Sequence, residues 1–303
     1  MSYPGTVYLR EVAPRDGWQK FKQLIPTSEK IALIRAMIDY GVKELEIGVF
    51  SDDPKLAWQY PDIKQVCAEI VPYASAHGVQ LSCIASDERG IAQAAACGVS
   101  AVDYFISVSD TFGRSFGLTP ETAFALLGKL VRNGGLQIRL ALGAVFGCPF
   151  GDNTPVSKTI DYIKRGQDLG VTEFGLADSA GIGDPKIVES VLTAVQAHIG
   201  QEHISLHIHD TEGFGFANCC KAMELGFSRY DSSLAGMGGC PMIPNAKGNL
   251  PTEDLVNLLK RLGIETEIDL VACTSASLTM STMLDAPVIS HIAVNTLLHS
   301  KAV

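Results

Sequence analysis

The sequence predicts an α/β fold, a (β/α)8 TIM barrel with additional C-terminal helices. Three observations predict it. Eight short apolar runs, each ended by Gly, Pro, Asp or Ser, read as strands. Helical stretches lie between them, and strand then helix repeated eight times is the pattern of a closed parallel barrel. The competing architecture is an open doubly wound sheet. It ranks lower because the first strand-to-helix turn, Val12-Ala13-Pro14-Arg15-Asp16-Gly17, has no G-x-G-x-x-G.

The strands are expected at about 6–12, 44–49, 80–86, 102–108, 137–146, 172–178, 203–209 and 229–234. Ser28 to Tyr40 reads as a helix, with Ile31, Ile34, Met37 and Ile38 on one face and Gly41 as its stop. Another helix starts at Asp184-Pro185, a capping side chain followed by proline in the first helical position. A third is expected over 213–225, stopped by Gly226. Residues 252–303 follow the last strand and read as further helices packed on the barrel. No linker, repeat or low-complexity segment divides the chain, so residues 1–303 are expected to form one domain.

Composition bounds the function. Hydrophobic residues make up 47% and charged residues 19% of 303, which gives a large core and excludes bulk disorder. No apolar run is long enough to cross a bilayer, and the first residues lack the pattern of a secretory signal. A cytoplasmic location is the resulting expectation, with no membrane partner. A net charge of −9 argues against nucleic acid, though a small anionic ligand needs only a few local Arg and Lys residues. The eight cysteines contain no CxxC pair. Reduced thiols are favoured over disulfides, and most are expected to be small buried residues.

Barrel enzymes work at the C-terminal ends of their strands. Strand 1 ends in Arg15-Asp16, strand 2 carries Glu46, strand 6 ends in Asp178, and strand 7 reads His207-Ile208-His209-Asp210. Histidines at i and i+2 of a strand face one way, so both imidazoles project to one side. Strands 1, 7 and 8 are neighbours in a closed barrel, and Asp16 with the two histidines suits a divalent ion with open positions. The bland alternative is a pair of hydrogen-bonded core histidines. Arg15 fits either an ion pair or an oxyanion contact. Glu46, facing inward, needs a partner, and Arg15 is the candidate. Cys240 lies in Gly236-Met237-Gly238-Gly239-Cys240-Pro241, too rich in glycine for core. It is expected to be exposed and mobile, as a surface thiol or as an acid–base group on a lid. Cys148, in Gly147-Cys148-Pro149, reads as structural.

These segments together resemble 3-hydroxy-3-methylglutaryl-CoA lyase, one of the metal-dependent lyase and synthase barrels that open with an Arg-Asp pair. The resemblance is carried by Glu11 to Gly17, Leu206 to Thr211, Ser232 to Pro241 and Gly248 to Asp254, and it spans nearly the whole chain. It implies a divalent ion, Mg2+ or Mn2+, on Asp16, His207, His209 and Asn249. It implies that Arg15 stabilises an enolate oxygen, that Cys240 moves a proton, and that Asp178 and Glu46 assist deprotonation and orient neighbours. The implied reaction cleaves a 3-hydroxyacyl-CoA to acetyl-CoA and a keto acid or ketone, and a homodimer is the family expectation. A related synthase or aldolase acting on a 2-oxo acid, and a non-catalytic ligand-binding barrel, are the alternatives; Cys240 in its glycine loop belongs to the lyase side.

The sequence departs from that pattern around the substrate. Trp18 stands where leucine is usual, and Gly48 and Val49 stand where small hydroxyl residues are usual. The loop 109–117, which contains Phe116, lacks an expected asparagine, and Ala177 replaces a glycine. Met242, Ile243, Pro244, Asn245 and Lys247 replace smaller lid residues. The departures point to a bulkier or less polar acyl group.

Overall fold

Eight parallel strands close into a barrel in sequence order, with the eighth paired back to the first. The structure is a computed structural model and describes residues 3–133, 135–240, 242–243 and 247–300. The strands are β1 (Tyr8–Glu11), β2 (Glu44–Phe50), β3 (Gln80–Ala85), β4 (Ala101–Ser107), β5 (Gln137–Gly143), β6 (Glu173–Asp178), β7 (Ile204–Ile208) and β8 (Arg229–Ser232). The helices are α1 (Thr27–Asp39), α2 (Pro54–Ala57), α3 (Ile63–Ala76), α4 (Glu88–Ala96), α5 (Asp110–Ser115), α6 (Pro120–Asn133), α7 (Val156–Asp168), α8 (Pro185–Val195), α9 (Gly215–Glu224), α10 (Thr252–Leu262), α11 (Leu270–Met283) and α12 (His291–Ser300). No described helix is long and apolar enough to cross a membrane.

Expected and observed strands agree to within a few residues. β5 stops three residues early, at Gly143, because Ala144 turns the chain with φ 57°. Asp184 caps α8 by accepting hydrogen bonds from the N–H groups of Lys186 (2.9 Å) and Ile187 (2.8 Å). The region 252–303 divides differently from the expectation. α10 follows β8 as the helix of the eighth unit, and α11 and α12 are the additional helices, packed against α10.

Strand register sorts the inward side chains into layers of four from alternate strands. The lowest holds Glu44, Ala101, Glu173 and Arg229; the next Arg10, Ser82, Arg139 and Ser205; the third Glu46, Asp103, Gly175 and Asp231. Such layers are ordinarily aliphatic. Here they form an ionic lattice whose charges are buried in the upper two layers and partly exposed in the lowest. Arg10 pairs with Asp231 (2.6 Å) and Asp103 (2.7 Å), while Arg139 pairs with Asp103 and donates to Ser205 Oγ (2.9 Å). The apolar core therefore lies outside the sheet. Outward residues such as Leu45, Tyr104, Leu140, Leu176 and Leu206 are fully buried against the helices.

Candidate metal centre and active site

The polar end of the barrel begins with an unusual turn. Ala13–Gly17 form one turn of π-helix directly after β1. This wide turn sets Arg15 and Asp16 at the mouth, and single π turns favour functional sites. Asp16 Oδ1 accepts from Arg15 Nη1 and from Gln19 Nε2, both at 2.6 Å. Its Oδ2 accepts from Asn249 Nδ2 at 2.5 Å and lies 3.8 Å from His209 Nε2. Burial opposes ionisation of Asp16, but Arg15, then His207 and His209, more than reverse it and hold the carboxyl well below the usual range.

The strand period does what the sequence predicts for the histidines. His207 lies in β7 and His209 just beyond it, and their Nε2 atoms face each other at 2.9 Å. Asp16, His207 and His209 each offer a ligand atom within 4.8 Å of the others. His207 Nδ1 faces Asp231 Oδ2 at 3.0 Å. An ionised carboxylate only accepts, so Nδ1 carries the proton and Nε2 turns a lone pair toward the cluster.

Asn249 joins through the backbone. His209 and Asn249 form an isolated antiparallel bridge, which carries the asparagine from 40 residues downstream to the mouth. Its Oδ1 is buried without a hydrogen-bond partner among the described residues. A buried amide oxygen left open beside two imidazoles and a carboxylate fits a divalent cation. Gly238 is required beside it: at φ 128°, a Cβ there would stand 2.3 Å from Asn249 Nδ2.

The other candidates fall around this cluster. Glu46, buried in β2, accepts from Arg15 Nε at 2.6 Å, the partnership its inward position demands. Arg15 therefore has Nε and Nη1 engaged, and Nη2 has no partner among the described residues. Asp178 accepts from the backbone N–H groups of Gly181, Ile182 and Gly183, at 3.0 to 3.2 Å. Burial pushes its carboxyl up to about 6 despite these bonds.

Cys240 corrects the expectation of an exposed thiol. It is half-buried because the loop folds back toward Asp16, with Gly239 N–H approaching Asp16 Oδ2 at 3.5 Å. Burial, with the nearby Asp16 charge, pushes its thiol up to about 11, although the N–H groups of Met242 and Ile243 and the Arg15 charge pull the other way. The cysteines are all free, and only four, Cys67, Cys83, Cys219 and Cys273, are fully buried, fewer than expected. Cys148 has a bridging place, with Sγ donating to Ser109 Oγ at 3.2 Å. Trp18 is fully buried, and Phe116 packs on Phe105 and Phe112 at ring separations of 5.3 and 5.2 Å. Lys247 is exposed; Pro241, Pro244 and Asn245 lie outside the described residues. Sequence reasoning missed Gln19 and, although it placed Asp231 among the polar residues ending strand 8, gave it no role. Gln19 gave no signal, whereas Asp231, two residues beyond an inward Arg229 on β8, was legible by strand alternation.

The comparisons with known proteins show the family. Residues 6–280 match the family model described as HMGL-like. A hydroxymethylglutaryl-CoA lyase of Bacillus subtilis is 33% identical over 282 residues, 91% of this chain and 93% of that one. An (R)-citramalyl-CoA lyase of Chloroflexus aurantiacus is 31% identical over 294 residues, 93% of this chain and 92% of that one. The structure of an HMG-CoA lyase from Acinetobacter baumannii, in complex with coenzyme A and 3-methylmalate, superposes with a TM-score of 0.89 at 29% identity, covering 97% of this chain and 96% of that one. With nine-tenths of its length matched at this identity, the chain belongs to the HMGL-like family.

Proposed function

We propose that the chain is a carbon–carbon lyase that cleaves the C2–C3 bond of a 3-hydroxyacyl-CoA, releasing acetyl-CoA and a ketone or keto acid. The observation that carries this reading is the convergence of Asp16, His207 and His209 with the open Oδ1 of Asn249, one bond from Arg15. The names of the relatives at 31% and 33% identity, lyases of CoA thioesters, support it over a synthase, an aldolase or an inert barrel. Residues 1–303 act as one catalytic domain in this reading.

Asp16, His207, His209 and Asn249 would hold Mg2+ or Mn2+. Such an ion supplies Lewis-acid polarisation of the substrate oxygens. Arg15, fixed by Glu46 and Asp16, presents Nη2 to the thioester oxygen, where negative charge develops as the bond breaks. Asp178, with its carboxyl near 6, is mostly ionised at neutral pH and suits acceptance of the hydroxyl proton. Cys240 stays protonated at neutral pH because burial raises its thiol, so it serves as the acid that protonates C2.

The test is release of acetyl-CoA. Purified protein with Mg2+ or Mn2+ is given 3-hydroxy-3-methylglutaryl-CoA, citramalyl-CoA and 3-hydroxy-3-alkylacyl-CoAs. Cleavage of at least one thioester is expected. Turnover of a 2-oxo acid with no cleavage of any thioester would overturn the lyase reading.

A further inference from the structure

Above the three ionic layers the barrel interior changes character. Register places Ile84, Ala141 and His207 in the fourth layer, and Val49, Phe105, Ala177 and Ser233 in the fifth. Val49 takes this place through a bulge between Glu46 and Val49. In β3, β4 and β5 the outward neighbours Cys83, Tyr104 and Leu140 are fully buried, while Ile84, Phe105 and Ala141 are only partly buried. Inward side chains with residual exposure line an open mouth. The Phe105 ring lies across β5, filling the space that a side chain at Gly143 would take, and packs on Phe116.

The mouth is thus divided. The β7–β8–β1 side carries the ligand cluster and Arg15. The β2–β6 side is mainly hydrocarbon, Val49, Ile84, Phe105, Ala141 and Ala177, with Asp178 at the β6 end next to the cluster. No inward residue of β2 to β6 above the ionic layers is cationic. Ser107 and Ser179 supply neutral hydroxyls there; each accepts a backbone N–H, from Ser109 (3.0 Å) and Ala144 (3.2 Å), and offers a single O–H but no charge. A carboxylate pressed onto this floor would lose its water and gain no cation from the described strands, which is unfavourable unless it is paired.

We infer that the acyl pocket selects a 3-hydroxy-3-alkylacyl-CoA whose distal substituent at C3 is a hydrocarbon group, in preference to the carboxylate-bearing acyl groups that the relatives' names denote. This rests on the lyase reading above. With the hydroxyl and thioester oxygens facing the ligand cluster and Arg15, the two carbon substituents left on C3, the distal one among them, face the β2–β6 floor. The hydroxyl gives its proton to Asp178 as its oxygen forms the ketone C=O, the C2–C3 electron pair passes to C2, and C2 takes the Cys240 proton, leaving the thiolate. The products are acetyl-CoA and a dialkyl ketone.

The test compares shape-matched substrates. In 3-hydroxy-3,5-dimethylhexanoyl-CoA an isopropyl group replaces the terminal carboxylate of 3-hydroxy-3-methylglutaryl-CoA. The alkyl substrate is expected to show roughly 10-fold or greater kcat/KM, and Val49→Thr, close in shape with one added hydroxyl, to shift that ratio several-fold toward the carboxylate substrate. Calorimetric binding of 3,5-dimethylhexanoyl-CoA and 3-methylglutaryl-CoA, which lack the hydroxyl and are not cleaved, gives a readout free of turnover, with the alkyl thioester tighter. Equal or preferred cleavage of 3-hydroxy-3-methylglutaryl-CoA or citramalyl-CoA would overturn the inference and leave the lyase reading standing. Cleavage of no thioester would overturn both.

Discussion

His207 holds Nδ1 3.0 Å from Oδ2 of Asp231, and Asp231 is itself clamped by Arg10 at 2.9 and 2.6 Å. Burial works against the Asp231 charge; Arg10 and His207 outweigh it and keep the carboxylate ionised. The imidazole proton is therefore fixed away from the ligand cluster. Asp231→Asn offers a weaker acceptor and also lets the ring choose the other tautomer. Metal affinity is expected to fall roughly 10- to 100-fold. Titration calorimetry with Mn2+ measures it directly, and an unchanged dissociation constant would show that Asp231 does not orient this ligand.

The half-buried position of Cys240 makes a kinetic prediction. A thiol near 11 is a competent acid at neutral pH, whereas a serine hydroxyl is far weaker. Cys240→Ser should lower kcat by about 10²- to 10⁴-fold. Bound metal, measured by elemental analysis, should be unchanged because Sγ is not among the proposed ligands. Full activity in the variant would remove Cys240 from the reaction.

The outcome for the remaining ligands also shows where sequence reading reached its limit. Asp16, His207 and His209 were legible because alternation on neighbouring strands is a local rule with a global consequence. Asn249 sits on no strand. It reaches the mouth through one backbone bridge to His209, a contact that no periodicity encodes, and only the resemblance pointed to it. The ionic lattice was legible in principle from Arg10, Asp103, Arg139 and Asp231 on alternating inward positions, but each charge alone looks like a solvated strand end. The π turn at Ala13–Gly17 had no signal beyond its proline. His209→Ala and Asn249→Ala are both expected to weaken metal binding, the histidine more, since it removes a nitrogen ligand; equal affinity in either variant would exclude that residue as a ligand.

Glu11 joins parts of the chain that are distant in sequence. Its Oε1 accepts from Ala13 N–H and Leu234 N–H, both at 2.9 Å, and its Oε2 from Tyr40 (2.6 Å) and Thr252 (2.7 Å). The carboxylate ties β1, α1, the loop after β8 and α10 at a fully buried point. Glu11→Ala strands three donors, since Thr252 Oγ1 can still donate to Ser232 Oγ, and should destabilise the fold by about 4 kcal/mol. Denaturant unfolding tests this, and a loss under about 1 kcal/mol would show that the junction is held by packing alone.

Glu253 ties stability to pH. It lies buried in α10, with Ser277 Oγ 2.5 Å from Oε1 and Ala235 N–H 3.2 Å from Oε2, and no cation beside either oxygen among the described residues. Burial pushes its carboxyl up to about 7, although hydrogen bonds from Ser277 and Ala235 pull the other way. The folded chain therefore holds this proton more tightly than the unfolded chain does. The stabilisation is complete below the unfolded value of about 4.5 and is lost as pH rises through the folded value, amounting to about 3 kcal/mol between those limits. Glu253→Gln reproduces the neutral acid: its amide N–H can donate to Ser277 while its oxygen accepts from Ala235. Calorimetric melting from pH 5 to 8 should show the wild-type midpoint falling relative to the variant, with the two close near pH 5 and the variant more stable at pH 8. Parallel profiles across this range would mean that Glu253 ionises in the folded chain at its ordinary pKa.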